Sequence, residues 1–137
     1  MADTGPFDSL EKAVKAGFKK VMANNNKQGT EEFGFWVIMK VEKSGDKKVV
    51  NFYYTDIVSG GSSEVSLTLP VGPMVRAHCH THPKRYSTSN FSTGDARSFK
   101  TLREARAGIT WYLLSPQSDI RKADKEDDFP GGISVPW

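Results

Sequence analysis

The sequence predicts an α+β domain whose mostly antiparallel sheet is flanked by two helices. An amphipathic helical pattern comes first, and several β-type segments separated by turn residues follow it. A second helical pattern then precedes a last group of β-type segments. This order of helix, strands, helix and strands is typical of the α+β class.

The first helix is predicted over Asp8 to Ala23. Asp8 followed by Glu11 resembles a capping box. The run Asn24 to Asn26, with Gly29 beyond it, is expected to end the helix. Lysines occupy the opposite face, where they form either a solvated surface or a contact for an anionic partner. The apolar face follows helical spacing and consists of Leu10, Ala13, Val14, Gly17, Phe18, Val21 and Met22.

The β-type segments are separated by breaks that contain glycine, serine and proline. Ser44 to Asp46 is predicted as the turn of a hairpin, a loop is expected from Thr81 to Phe91, and the second helix is predicted from Ser92 to Arg106. The residues that this helix is expected to bury are Ala96, Phe99 and Leu102. The predicted strands are 33–41, 49–57, 64–69, 74–80, 109–114 and 120–122.

The length and composition indicate one globular domain that spans residues 1–137. A chain of 137 residues with 37% hydrophobic residues can bury a core without disulfides. The stretches 1–7 and 124–137 are expected to be peripheral. The single cysteine, Cys79, cannot form an intrachain disulfide, and we expect it to be a small buried residue.

The charge balance argues against a nucleic-acid or membrane partner. The net charge is +3, and much of the positive excess lies on one helix face. No apolar stretch approaches the roughly 18 residues of a membrane span, and the N-terminus lacks the basic start and apolar run of a signal peptide. We therefore expect a soluble, cytoplasmic protein.

All three histidines, His78, His80 and His82, lie within five residues. Neighbours at i and i+2 on a strand point the same way about 6.6 Å apart, so two of them can bind one metal ion, whereas i and i+4 stand about 13 Å apart. Pro83 ends the strand and keeps the residue before it extended. The pattern favours His80 and His82 as ligands and leaves His78 as a neighbour.

Ser92 and Asp95 are spaced for the first turn of the second helix. On their own they predict a capping box, with Ser92 as the N-cap and Asp95 at position N3. Beside two histidines, however, Asp95 is also a natural third zinc ligand, and three protein ligands leave one position open for water. The two interpretations are compatible, because a capping serine can still face the site.

These residues resemble a known enzyme family. Segment 80–83 reads HTHP and segment 92–95 reads STGD, which is similar to the HxHP and SxxD halves of the JAMM (MPN-plus) metalloprotease motif. Glu32-Phe33-Gly34 also resembles the upstream Glu-aromatic-Gly element of a bacterial JAMM-like branch. That branch occurs at the ends of Rhs-repeat and other polymorphic-toxin proteins. The similarity follows the element order from about Asp8 to Lys122, although about a dozen residues carry it.

The resemblance implies a fold, a cofactor and a role for each site residue. The fold would be a curved JAMM/MPN-like sheet related to cytidine deaminases, with Zn²⁺ held by His80, His82 and Asp95. Glu32 would activate water and Ser92 would stabilise the transition state. Glu31 fits a competing ExxG pattern, but we favour Glu32. Because both imidazoles must be neutral to bind, activity is expected to fall below about pH 6.

The implied function is hydrolysis of a peptide or isopeptide bond in a protein substrate, for which a ubiquitin-like tail is one candidate. Three alternatives stay open. The chain could be a toxin or effector domain with a different substrate, delivered by a specialised secretion system and neutralised by a cognate immunity protein. It could also be a non-catalytic MPN-like binding module. A metal-dependent nuclease is disfavoured by the slight basic excess and by the lack of a second acidic cluster near the histidines.

Overall fold

A single mixed sheet organises the chain in the computed structural model, which describes residues 3–23, 31–60, 67–70, 74–83, 91–106 and 108–137. Strands β5 and β6 are parallel, and the other strand pairs are antiparallel. The predicted α+β class is therefore confirmed. The strands are β1 (Thr4–Phe7), β2 (Phe33–Ser44), β3 (Lys47–Tyr54), β4 (Val58–Ser59), β5 (Met74–Thr81), β6 (Thr110–Leu114), β7 (Ile120–Ala123) and β8 (Ile133–Val135). The helices are α1 (Leu10–Met22) and α2 (Thr93–Ala105), and Glu126–Asp128 forms a short 3-10 helix.

The strands lie in the order β1-β3-β2-β5-β6-β7-β8, with β4 added beside β2. Because side chains alternate along a strand, the sheet separates two apolar layers. One layer contains Phe18 of α1 with Phe35 and Cys79, and the other contains Phe99 of α2 with Trp36 and Trp111. The central strands β2, β5 and β6 contribute to both layers, which explains the nearly continuous apolar sequences of β6 and of the first part of β2.

The predicted helices and hairpin are confirmed with small changes in their ends. Helix α1 is capped by Ser9, whose hydroxyl accepts from the amide of Lys12 at 3.2 Å. Asp8 lies outside the cap and pairs with the Lys12 ammonium group at 2.8 Å, so the predicted Asp8 capping box is wrong. The Ser9 hydroxyl, and not the Asp8 carboxylate, accepts the hydrogen bond from this first-turn amide. Gly45, with φ of +65°, makes the predicted turn between β2 and β3.

Three other expectations differ from the structure. The predicted strand 64–69 lies partly outside the described residues, and its described part, residues 67–69, is not in a strand. The predicted loop starts later than expected, because β5 continues through Thr81. Ala96 is only half-buried, whereas Phe99 is fully buried and Leu102 packs against the same layer.

The two terminal stretches join the sheet as strands at its two edges. Strand β1 pairs with β3, and its Phe7 packs against the layer beneath α1. Strand β8 pairs with β7, and its Val135 is buried. Four- and three-residue strands carry too few alternating positions to be recognised from sequence.

Gly17 permits the close approach of α1 to the sheet, and it yields the first prediction. A methyl group at this position would overlap the ring of Phe35, which is fully buried. Alanine improves helix propensity by about 1 kcal/mol, but overpacking costs roughly 1–3 kcal/mol. We expect Gly17→Ala to lower the free energy of unfolding in urea.

Gly94→Ala is the matched control, because Gly94 also lies in a helix but, among the described residues, an added methyl group meets nothing closer than the Ser92 hydroxyl at 3.7 Å. It should be neutral or up to about 1 kcal/mol more stable. A Gly17→Ala protein that is at least as stable as Gly94→Ala would contradict the proposed packing constraint.

Membrane insertion through a helix finds no support in the described part of the chain. Neither α1 nor α2, at 13 residues each, is long and apolar enough to cross a bilayer.

Candidate metal centre

Three predicted ligands converge at the C-terminal end of the central strand β5. The Nε2 atom of His80 lies 3.1 Å from Oδ1 of Asp95, and Nε2 of His82 lies 3.2 Å from Oδ2 of the same carboxylate. One ligand atom from each residue lies within 4.8 Å of the other two. His80 and His82 are buried, and the Asp95 side chain is 16% exposed. The group is therefore enclosed but can be reached from solvent at the carboxylate.

The pairing of the parallel strands β5 and β6 positions the two histidines at this end of the sheet. His80 is opposite Leu113 in that pair, and the amide of His82 donates to the carbonyl of Leu114 at 3.1 Å. The ladder thus extends beyond Thr81 and keeps His82 extended, so that both imidazoles project on the α2 side. This is the period-two spacing predicted from the sequence.

Helix α2 presents Asp95 from its first turn. The Ser92 hydroxyl accepts from the Asp95 amide at 3.0 Å, and the Asp95 carboxylate accepts from the Ser92 amide at 2.7 Å. This reciprocal capping box confirms the predicted capping role, and the same carboxylate also faces both histidines. The helix N-terminus further favours a negative charge at this position.

The surroundings of Asp95 favour its charged form. Burial alone would raise the pKa of this carboxyl group, but the charge of His80, the interactions with both histidines and the hydrogen bond from the Ser92 amide outweigh it. The net effect holds the pKa of Asp95 well below its usual range. Asp95 is therefore an anion wherever the fold is intact near neutral pH, as a metal ligand must be.

Glu32 and Glu31 occupy different environments at the start of β2. Glu32 is 5% exposed, and its carbonyl accepts from the Gly60 amide at 2.8 Å. Gly34 is opposite His80, so continued alternation directs Glu32 to the same face as the histidines. The Glu31 carboxylate instead accepts from the Ser59 hydroxyl at 2.7 Å, in an exposed contact with β4.

Ser92 stands beside the cluster with an exposed side chain. Its oxygen accepts from the Asp95 amide, and a hydroxyl group carries one proton that it can still donate. The structure therefore brings Ser92 to the candidate metal ligands through Asp95.

His78 is not among the converging residues, in agreement with its predicted place as a neighbour. Its ring stacks on Trp111 with centroids 3.9 Å apart and meets Trp36 edge-on at 5.0 Å. Burial holds the pKa of His78 well below its usual range, and the nearby charge of His80 acts in the same direction. His78 is therefore a neutral imidazole in an aromatic environment.

The aromatic surroundings of the cluster come from distant parts of the chain. Trp111 lies 5.6 Å from His80, and Phe91 lies 6.0 Å from it, measured between ring centroids. Phe91 directly precedes the STGD segment, whereas Trp111 has no local sequence signal beyond an apolar strand. Only the pairing of β5 with β6 identifies Trp111 as a neighbour of the site.

Leu67 covers the neighbouring stretch of β2 on the same face. A side chain at Gly34 would meet Leu67 at 3.0 Å, and the indole of Trp36 donates to the carbonyl of Thr68 at 3.0 Å. These contacts bring Leu67 and Thr68 over β2, the strand that Glu32 directly precedes. The site therefore has an apolar boundary on its β2 side.

Cys79 does not take part in the cluster. It is fully buried in the layer beneath α1, on the opposite face of β5, and burial raises the pKa of its thiol. The prediction of a small buried residue is confirmed.

The donor set fits a metal ion. Four-coordinate zinc binds imidazole nitrogen and carboxylate oxygen at about 2.0–2.2 Å, which separates neighbouring ligand atoms by about 3.4 Å. The two histidine–carboxylate separations lie close to this value. In addition, the buried Nε2 atom of His80 has no partner of good hydrogen-bond geometry among the described residues. His80, His82 and Asp95 could therefore hold a metal ion.

Comparison with known proteins does not extend this description. No model of a known protein family matches the chain, and no curated protein matches it significantly.

Proposed function

We propose that this protein is a zinc-dependent hydrolase of the JAMM type that cleaves a peptide or isopeptide bond. The observation that carries the proposal is the convergence of two buried imidazoles and one carboxylate within 4.8 Å. This arrangement has the ligand number of a catalytic zinc site, in which an open position receives water or substrate.

The placement of the ligands on the fold also supports a JAMM/MPN-like architecture. The HTHP segment ends a central strand, the STGD segment begins the helix that covers it, and Glu32 precedes the neighbouring antiparallel strand. Three separate segments, of which Glu32 lies about 50 residues before the other two, thus supply the three parts of the resemblance near the end of β5.

Zinc suits two imidazoles and a carboxylate, and when bound it polarises a carbonyl group and lowers the pKa of water. His80 and His82 would hold it through Nε2, because these atoms face Asp95. Asp95 would contribute a carboxylate oxygen from a rigid helix turn. The capping hydrogen bonds orient that carboxylate before any ligand binds.

Glu32 is the proposed general base. Its carboxylate would accept a proton from the attacking water and then deliver that proton to the leaving amine. The buried environment and the backbone contact with Gly60 restrict its motion. Glu31, which is bound to Ser59 on the exposed side, is less suited to this role.

Ser92 is the proposed donor to the developing oxyanion. Its oxygen is fixed by the Asp95 amide, so its proton can point outward to a substrate. Such donors contribute when they are already oriented toward the charge that develops in the transition state.

The substrate is proposed to be an extended protein segment, with a ubiquitin-like tail as one candidate. A toxin-type substrate is the main alternative and would bind at the same site. A non-catalytic binding module would hold metal without hydrolysis.

The test uses wild-type protein purified without chelators. We expect about one zinc per chain by elemental analysis, together with cleavage of members of a panel that combines internally quenched random peptides and lysine-linked isopeptides with a ubiquitin-like tail. Chelation should abolish cleavage, and added zinc should restore it. The absence of stoichiometric metal would refute the proposal. Metal binding without cleavage would support the binding module, and cleavage confined to other peptides would favour a toxin-type substrate.

A further inference from the structure

Three buried polar atoms, one on His80 and two on rings next to it, have no hydrogen-bond partner among the described residues. They are Nδ1 of His78, Nδ1 of His80 and Nε1 of Trp111. Their residues are 8%, 2% and 3% exposed. Buried polar groups are nearly always hydrogen-bonded, and those without a protein partner commonly bind an internal water.

The three rings are mutual neighbours. Ring centroids of His78 and His80 lie 5.4 Å apart, those of His78 and Trp111 3.9 Å, and those of His80 and Trp111 5.6 Å. All three side chains lie on the α2 face of the parallel pair β5 and β6, where His78 is directly opposite Trp111. The three unpartnered atoms therefore belong to neighbouring rings of one cluster, and the Nδ1 atom of His80 is distinct from the Nε2 atom that faces Asp95.

The hydrogen-bonding capacities of these atoms are complementary. When His80 binds through Nε2, its Nδ1 carries the proton and is a donor, and the indole of Trp111 is always a donor. An unprotonated Nδ1 atom of His78 can accept a hydrogen bond. One water molecule can receive the two donors and donate to His78.

We propose that His78 is a positioning residue for the metal ligand His80. His78 and Trp111, bridged by an internal water, hold His80 as the tautomer whose Nε2 faces Asp95. This role rests on the proposed metal site. It also explains why a polar histidine lies in surroundings formed by the rings of Trp36 and Trp111. Partners of this kind orient metal-binding imidazoles, and their loss typically lowers metal affinity 10–100-fold.

Two substitutions of His78 separate positioning from packing. His78→Phe keeps the stacked ring but removes both nitrogens, so the metal-free protein should unfold at the same urea concentration or a higher one. Its zinc affinity should nevertheless fall about 10–100-fold. His78→Asn loses the ring but keeps a polar atom close to the Nδ1 position. It should unfold at lower urea than His78→Phe yet bind zinc more tightly.

Phe91→Leu is the matched control, because Phe91 contacts His80 without offering a polar atom. It should lower stability and leave zinc affinity within about two-fold, since no partner of the imidazole is lost. Zinc affinity is measured by competition with a chromophoric chelator at fixed pH, and stability is measured by urea unfolding of the metal-free proteins.

The outcomes distinguish this role from the proposed function. If the wild type binds zinc and His78→Phe binds it equally well, the positioning role is overturned and the metal site stands. If affinity follows stability across the three variants, His78 acts only through packing and the role is again overturned. If the wild type binds no metal, the proposed function fails and this role fails with it.

Discussion

Asp95→Ala is expected to reduce the metal content from about one ion per chain to below about a tenth, because it removes one of only three protein ligands. The Asp95 carboxylate faces both histidines, at 3.1 and 3.2 Å. Without it, two imidazoles remain, and they cannot enclose the ion. Elemental analysis after gel filtration in chelator-free buffer measures the effect.

Asp95 also caps α2, so a control must separate capping from ligation. Ser92→Ala removes the other half of the same capping box and should cost about 1 kcal/mol of stability. It should still retain its metal, because Ser92 supplies no ligand in our proposal. Equal loss of metal in both variants would indicate that the helix cap, and not the carboxylate ligand, is what the site requires.

Glu32→Gln is expected to lower the rate of hydrolysis by about 10²–10⁴-fold, the range associated with loss of a general base. The amide has nearly the size of the carboxylate but cannot accept the proton of water. Because Glu32 is not a proposed ligand, the variant should keep about one zinc per chain. The measurement is the initial rate on the best peptide or isopeptide of the panel, normalised to bound zinc.

Glu31→Gln is the matched control, since it makes the same change one residue earlier. Its carboxylate accepts from the Ser59 hydroxyl on the exposed side of the site, a bond that an amide oxygen can also accept. Its rate should stay within about two-fold of the wild type, because no proposed proton transfer is affected. An inactive Glu31→Gln with an active Glu32→Gln would show that the base has been misassigned.

Much of the fold was predictable because its main elements have strong local periodicity. Helix α1 repeats apolar residues over three turns, and the hairpin of β2 and β3 has a glycine at its turn. The errors fall where the local signal is weak. The edge strands β1 and β8 are too short to show alternation, and Asp8 and Ser9 are both acceptable helix caps by sequence.

The candidate ligand set was predictable for a similar reason. Period-two spacing places His80 and His82 on one side of a strand, and the STGD segment identifies a helix start with an available carboxylate. The choice between Glu31 and Glu32 could not be made by spacing alone. It depends on which side of β2 each residue faces, and the register of Gly34 against His80 supplies that information.

Local sequence patterns predict the fold class, the two helices, the hairpin and the three candidate metal ligands, because each depends on a short stretch of chain. Long-range packing brings the Asp95 carboxylate within 3.2 Å of both histidines, buries Glu32 while Glu31 contacts Ser59, and stacks Trp111 on His78. These contacts depend on strand order and register. Both are set by the packing of the whole sheet between two helices, which no local pattern specifies.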